Sequence, residues 1–143
     1  MSVAADGSAH FRSIEDIEAP PVEAGVHDRI ANGCAALPDG AFASVSRDMR
    51  LRLWHRGHAP VVLRSPHPHS IKCVAASTDC RFIASGGYRG MVAVYDLIGR
   101  AWLPPLRVTA AGISSITGVG ARSFLASSYD GFVTRIDVMD STS

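Results

Sequence analysis

The chain has 143 residues, 47% of them hydrophobic and 19% charged, with 14 basic and 13 acidic side chains. That balance suits one globular domain with a core and argues against overall disorder. With a net charge of +1 and no basic block, it carries no electrostatic footprint for nucleic acid or an anionic membrane. The three cysteines, Cys34, Cys73 and Cys80, lack metal-type Cys-x-x-Cys spacing and read as small buried hydrophobes in a reducing compartment. No apolar run approaches the ~20 residues of a membrane span, and the N-terminus lacks the basic-then-apolar order of a secretory signal.

In chain order, residues 1–19 are small, polar and acidic, and are expected to form a flexible N-terminal segment with one helical turn around 13–18. Three proline-bearing apolar stretches follow, around 20–25, 59–64 and 103–108. Proline lacks the N–H that a ladder needs, so each is expected as an outer edge strand introducing a unit. Three further strands are expected in each unit: about 30–37, 41–46 and 50–55, then 70–76, 81–86 and 91–97, then 113–119, 122–128 and 132–138. Turns fall at Pro38-Asp39-Gly40, Thr78-Asp79-Cys80, Gly86 to Gly90 and Asp130-Gly131. Leu51/Leu53 and Val92/Val94 show the period-2 alternation of strands, and no segment sustains a helical period. Arg135 stands where Leu53 and Val94 stand in the other units, so one face of the third is expected to be solvated.

The units repeat at about 41 residues, which makes Trp54, Tyr95 and Ile136 equivalent, as are Asp48, Arg89 and Asp130. On these residues the chain resembles the WD40 repeat family over roughly residues 20–138. The resemblance implies an all-β fold, a β-propeller segment of about three four-stranded blades in an incomplete ring. Repeats are expected at about 20–58, 59–99 and 100–138, with a tail at 139–143. It also implies a hydrogen-bonded structural relay: His27, Ser44, Asp48 and Trp54 in the first unit, His69, Ser85 and Tyr95 in the second, Asp130 in the third. In that relay the serine serves the buried ring N–H, and the turn aspartate accepts from the histidine. Arg89 departs from the pattern in the second unit. Ala126 and Ile136 depart from it in the third, which has no histidine near 109–111.

Propellers close with about four to eight blades, so three units are expected to be part of a larger propeller, to self-associate into a ring, or to persist as an open arc. The chemistry-bearing residues have plain structural readings. His55, His58, His67 and His69 lack the acids and thiols of a metal site. His27, Ser44 and Asp48 hold the residue types of a hydrolase, but the relay buries the serine with no oxyanion donors. Gly86 to Gly90 precede a strand, not the helix N-terminus of a phosphate loop. What remains is a partner-binding surface. Arg47, Tyr88 and Tyr129 each stand just before the turn position, where the family presents partner-contacting residues, and Arg89, Arg29 and Lys72 extend them. Arg and Tyr are enriched in interface hot spots. The function expected is a non-catalytic, intracellular scaffold for protein–protein interaction, with no cofactor and no nucleic-acid or membrane partner. The alternative is a propeller segment of an enzyme or small-ligand-binding protein.

Overall fold

The structure, a computed structural model, describes residues 1–139; of the expected tail, residues 140–143 lie outside the described residues. Among the described residues, fifteen strands are arranged in four antiparallel sheets. The first comprises β1 (Ser2–Val3), β2 (Ser8–Phe11) and β3 (Val22–Val26), in the order β1-β2-β3. The second comprises β4 (Ala31–Ala36), β5 (Phe42–Ser46), β6 (Arg50–Trp54) and β7 (Val61–Arg64), in chain order. In the third, β8 (Ile71–Ala76), β9 (Phe82–Gly87) and β10 (Met91–Asp96) are followed by β11 (Ala101–Trp102) and β12 (Leu106–Arg107), both paired with β10. The fourth comprises β13 (Ile113–Gly118), β14 (Ser123–Ser128) and β15 (Val133–Asp137). Among the described residues the four sheets do not close into a ring.

Three expectations are corrected here. Residues 1–19 are not simply a flexible segment: Asp6 closes a β-turn by accepting from the Ser8 N–H (2.9 Å), and β1 and β2 pair across it. Asp48 does the same for Arg50 (2.9 Å) and Asp130 for Phe132 (3.2 Å), so Asp6 is one more beat of the repeat. Residues 13–18 form side-chain-capped turns instead of a helical one, with the Ser13 hydroxyl accepting from Glu15 and Asp16 N–H. Finally, each edge strand completes the sheet before it. Val22–Val26 pairs with β2, Val61–Arg64 with β6, and β11 and β12 with β10. The fourth sheet therefore has three strands among the described residues, where four were expected. Pro104 and Pro105 explain why the outer strand of the third sheet is split in two, since neither can donate to the ladder.

The core lies between sheets. Ala43, Val45, Leu51, Ile71 and Ile83 pack the second sheet against the third. Phe82, Val92, Val94, Ile113, Phe124 and Ile136 pack the third against the fourth. Full burial of such a side chain contributes roughly 1.5–3 kcal/mol. In the fourth sheet, Phe124, Ala126 and Ile136 face this core, while Val133 (65% exposed), Arg135 and Asp137 face solvent. The inner strands β4, β8 and β13 share a bulge near their start, between Ala31 and Gly33, Ile71 and Cys73, and Ile113 and Ser115. Bulges re-aim side chains. Here they do so for Asn32, Lys72 and Ser114.

Candidate functional site

In the second sheet a buried polar group surrounds Ser44. Its Oγ accepts the Trp54 Nε1–H at 2.7 Å and lies 2.6 Å from His27 Nε2. Asp48 Oδ2 is 3.3 Å from His27 Nδ1, but Arg52 donates to the same carboxylate at 2.6 Å and also contacts Nδ1. Asp48 Oδ2 therefore faces both the His27 ring nitrogen, as the relay expects, and the Arg52 guanidinium, a partner beyond the expected relay. Burial and the Arg52 charge hold His27 below the usual imidazole pKa. Burial opposes ionisation of Asp48, yet Arg52 and the N–H groups of Arg50 and Asp28 outweigh it and keep the carboxyl below its ordinary range. Ser44 itself is fully buried.

The third sheet builds a related group from a different histidine. His67 is buried and its Nε2 lies 2.9 Å from Ser85 Oγ, whereas the expected His69 is exposed. Counting from the inner strand explains the shift: His67 stands four residues before Ile71, as His27 stands four before Ala31. The last ladder pair of the hairpin is Ala36↔Phe42 in the second sheet and Ala76↔Ile83 in the third, one residue farther apart, so a count back from the serine lands on Pro68 between the two histidines. Ser85 turns its hydroxyl to the Ala93 carbonyl (3.2 Å), and Tyr95 packs edge-on against Trp102 with ring centroids 5.1 Å apart. Burial pushes the His67 imidazole down to about 4. In the fourth sheet Thr109 holds the corresponding place, four residues before Ile113, and its hydroxyl donates to Asp130, which also accepts from Ser128.

The turns at one end of the sheets bring the surface residues together. Lys72, re-aimed by the β8 bulge, sits with its ammonium 5.2 Å from the Tyr88 ring centroid and 4.9 Å from that of Tyr129. A hydrogen bond to Tyr129 holds Lys72 above the usual lysine pKa; Tyr88 acts in the same direction and Arg47 against it. Tyr88 is 38% exposed and Tyr129 60%. Gly112 separates their loops. An added Cβ there would stand 2.9 Å from the Tyr88 carbonyl oxygen and 3.3 Å from Tyr129 Cδ2. Beside this pair, Arg47, His69, Ser70, Tyr88 and Arg89 line a shallow hollow of about 400 Å³. Arg29 is exposed but does not line it; its carbonyl accepts from the Ser46 hydroxyl at 3.2 Å.

Residues 25–55 and 60–96 match the WD domain, G-beta repeat family. These two segments are WD40 repeats. The matched WD40 segments contain the His27–Ser44–Trp54 and His67–Ser85 groups; residues 100–138, with Ala126 and Ile136 at the signature positions, fall outside them. Among solved structures, that of U3-55K is similar with a TM-score of 0.82 and 15% identity, over 95% of this chain and 44% of that one. At that identity the likeness shows the fold alone, and this chain spans less than half of the other's length. Matches extend to 802 chains of solved structures, the mark of a widely reused architecture. No curated protein matches the sequence at a significant level.

Three members of these groups were not singled out by the 41-residue spacing: Arg52, Thr109 and Ser70. Thr109 is legible as an offset from the inner strand, four residues before Ile113, and Arg52 as a cation four residues after Asp48. At the other end of the third sheet, Asp96 pairs with Arg81 (2.9 Å) and accepts from Ile98 and Gly99 N–H, which brings its carboxyl down to about 2. His55, His58 and Asp39 line a separate hollow with Arg56 beside the second sheet, and among the described residues no three His, Cys, Asp or Glu side chains gather as a metal site would require. No helix among the described residues is long and apolar enough to cross a membrane.

Proposed function

We propose that this chain is a non-catalytic scaffold for protein–protein interaction, and that its partner docks on the end face carrying Arg47, Tyr88, Arg89 and Tyr129. The observation that carries this reading is the placement of Lys72 between Tyr88 and Tyr129, from two successive sheets, beside two exposed arginines. Lys72 and the two tyrosines attract one another, which lowers the side-chain entropy to be lost on docking. The groups around Ser44 and Ser85 serve this face as a structural relay by anchoring the loops that enter β4 and β8. Three free thiols fit a reducing, intracellular compartment. The test is capture of partners from an extract of the source cell. Tyr88→Ala and Tyr129→Ala are expected to melt like the parent chain and to lose the partner, and capture unchanged in both variants would overturn the proposal.

A further inference from the structure

We infer, resting on that reading of the end face, that its partner presents an acidic peptide segment, whose carboxylates engage Arg47, Lys72 and Arg89. The acids and bases of these turns are unequally occupied. Asp48 is taken by Arg52 and backbone N–H groups, Asp28 by Arg50 and Arg52, and Asp130 by Thr109 and Ser128. Among the described residues, by contrast, Arg47, Lys72 and Arg89 form no ion pair with a carboxylate. Arg47 is also close enough to Lys72 to disfavour its charge, so a like-charged set stands without its counter-charge. The hollow beside it offers two guanidiniums, the His69 ring, the Ser70 hydroxyl and the Tyr88 phenol, with no carboxylate in its lining. Donor groups of this kind, forked in the case of arginine, suit carboxylates.

The layout selects the kind of anion. Arg47 lies in the β5–β6 turn, Arg89 in the β9–β10 turn and Tyr129 in the β14–β15 turn, so the track crosses three successive sheets. A single compact anion meets only part of such a track, whereas an extended segment with several Asp or Glu side chains meets all of it. Single-stranded nucleic acid is a poorer fit: bases stack on ring faces, and Lys72 takes one face of each tyrosine.

Lys72 is the chain's single lysine, so amine acylation followed by mass spectrometry reports on this site directly. The probe is a fluorescein-labelled dodecapeptide rich in glutamate, followed by anisotropy at low salt. Comparison ligands are a Gly-Ser dodecapeptide, the same peptide with one phosphoserine, and a twelve-nucleotide single-stranded RNA. The glutamate peptide is expected to bind tightest, to slow Lys72 acylation, and to lose about tenfold in affinity in the Arg47→Ala/Arg89→Ala variant and again in Lys72→Gln. Melting curves of both variants establish that they fold. Binding no tighter than Gly-Ser peptide, an unchanged affinity in the folded variants, or tighter binding of the RNA or the phosphopeptide would each overturn the inference. If Tyr88→Ala and Tyr129→Ala abolish partner capture while the glutamate peptide neither binds nor competes, the inference falls and the interaction face stands. If capture ignores those tyrosines, the face itself falls.

Discussion

Replacing Ser44 by alanine removes one oxygen on which two buried nitrogens depend. Trp54 Nε1 donates to it at 2.7 Å and His27 Nε2 lies 2.6 Å away. Trp54 is 1% exposed and His27 3%, so water does not replace the lost partner. Leaving a buried polar group unsatisfied costs about 1–3 kcal/mol. Two such groups put the cost of Ser44→Ala at about 3 kcal/mol, or roughly 10 °C in Tm for a domain of this size. Ser85→Ala deprives only one buried ring nitrogen, that of His67 at 2.9 Å, and is expected to cost about 1–2 kcal/mol. The fourth sheet shows why the pair of partners matters: Ala126 and Ile136 fill the serine and tryptophan positions with apolar groups, both buried. Adding Trp54→Phe to Ser44→Ala removes one orphaned donor, so the double variant is expected to be at least about 1 kcal/mol more stable than the sum of the single effects predicts. Urea unfolding followed by tryptophan fluorescence measures all four, with an unchanged m-value required for the comparison. A cost below about 1 kcal/mol for Ser44→Ala, or equal costs for the two serines, would refute the reasoning.

Further outcomes follow from the buried histidine and the turns. His67 titrates near 4 in the folded chain against about 6.5 unfolded. The unfolded state therefore binds more protons between those values, and stability falls as pH drops through that window, by on the order of 3 kcal/mol. Chemical denaturation across pH 4–7 is expected to show this slope, and His67→Asn to reduce it, leaving the part that His27 contributes in the same direction; an unchanged slope in that variant would count against the assignment. Gly90 holds a left-handed φ of +70°, and an added Cβ would stand 2.0 Å from the Thr109 carbonyl oxygen. Gly90→Ala is expected to lose about 2–4 kcal/mol by the same assay. Met49 occupies the equivalent turn position with φ 63°, where a side chain carries a penalty. Met49→Gly is therefore expected to be neutral or to gain up to about 1 kcal/mol, and a large loss would show that the methionine packs in a way its 39% exposure does not suggest.

The amino-acid sequence alone determined the strands and their repeat. Alternation at Leu51/Leu53 and Val92/Val94, glycines and aspartates at the turns, and the 41-residue beat each report a local backbone preference, and local preferences survive without tertiary context. Arg47, Tyr88, Arg89 and Tyr129 were legible for the same reason, since residues flanking tight turns are exposed wherever the turns go. Partnership was different. Val22–Val26, Val61–Arg64 and the split strand at Ala101–Arg107 read equally well as the start of one unit or the end of the last, and only the ladder assigned them backward. His67 displaced His69 because one extra residue between the closing ladder pair of β8 and β9 moved the serine, not the histidine, relative to the inner strand. Asp6 went unread because its unit lacks the aromatic signature, although its turn chemistry matches that of Asp48. Lys72 joined the two tyrosines because a bulge turned it toward them. Spacing along a chain fixes which face a residue lies on within its own strand; which neighbour it meets depends on register and sheet order, and those are settled only when the sheets pack.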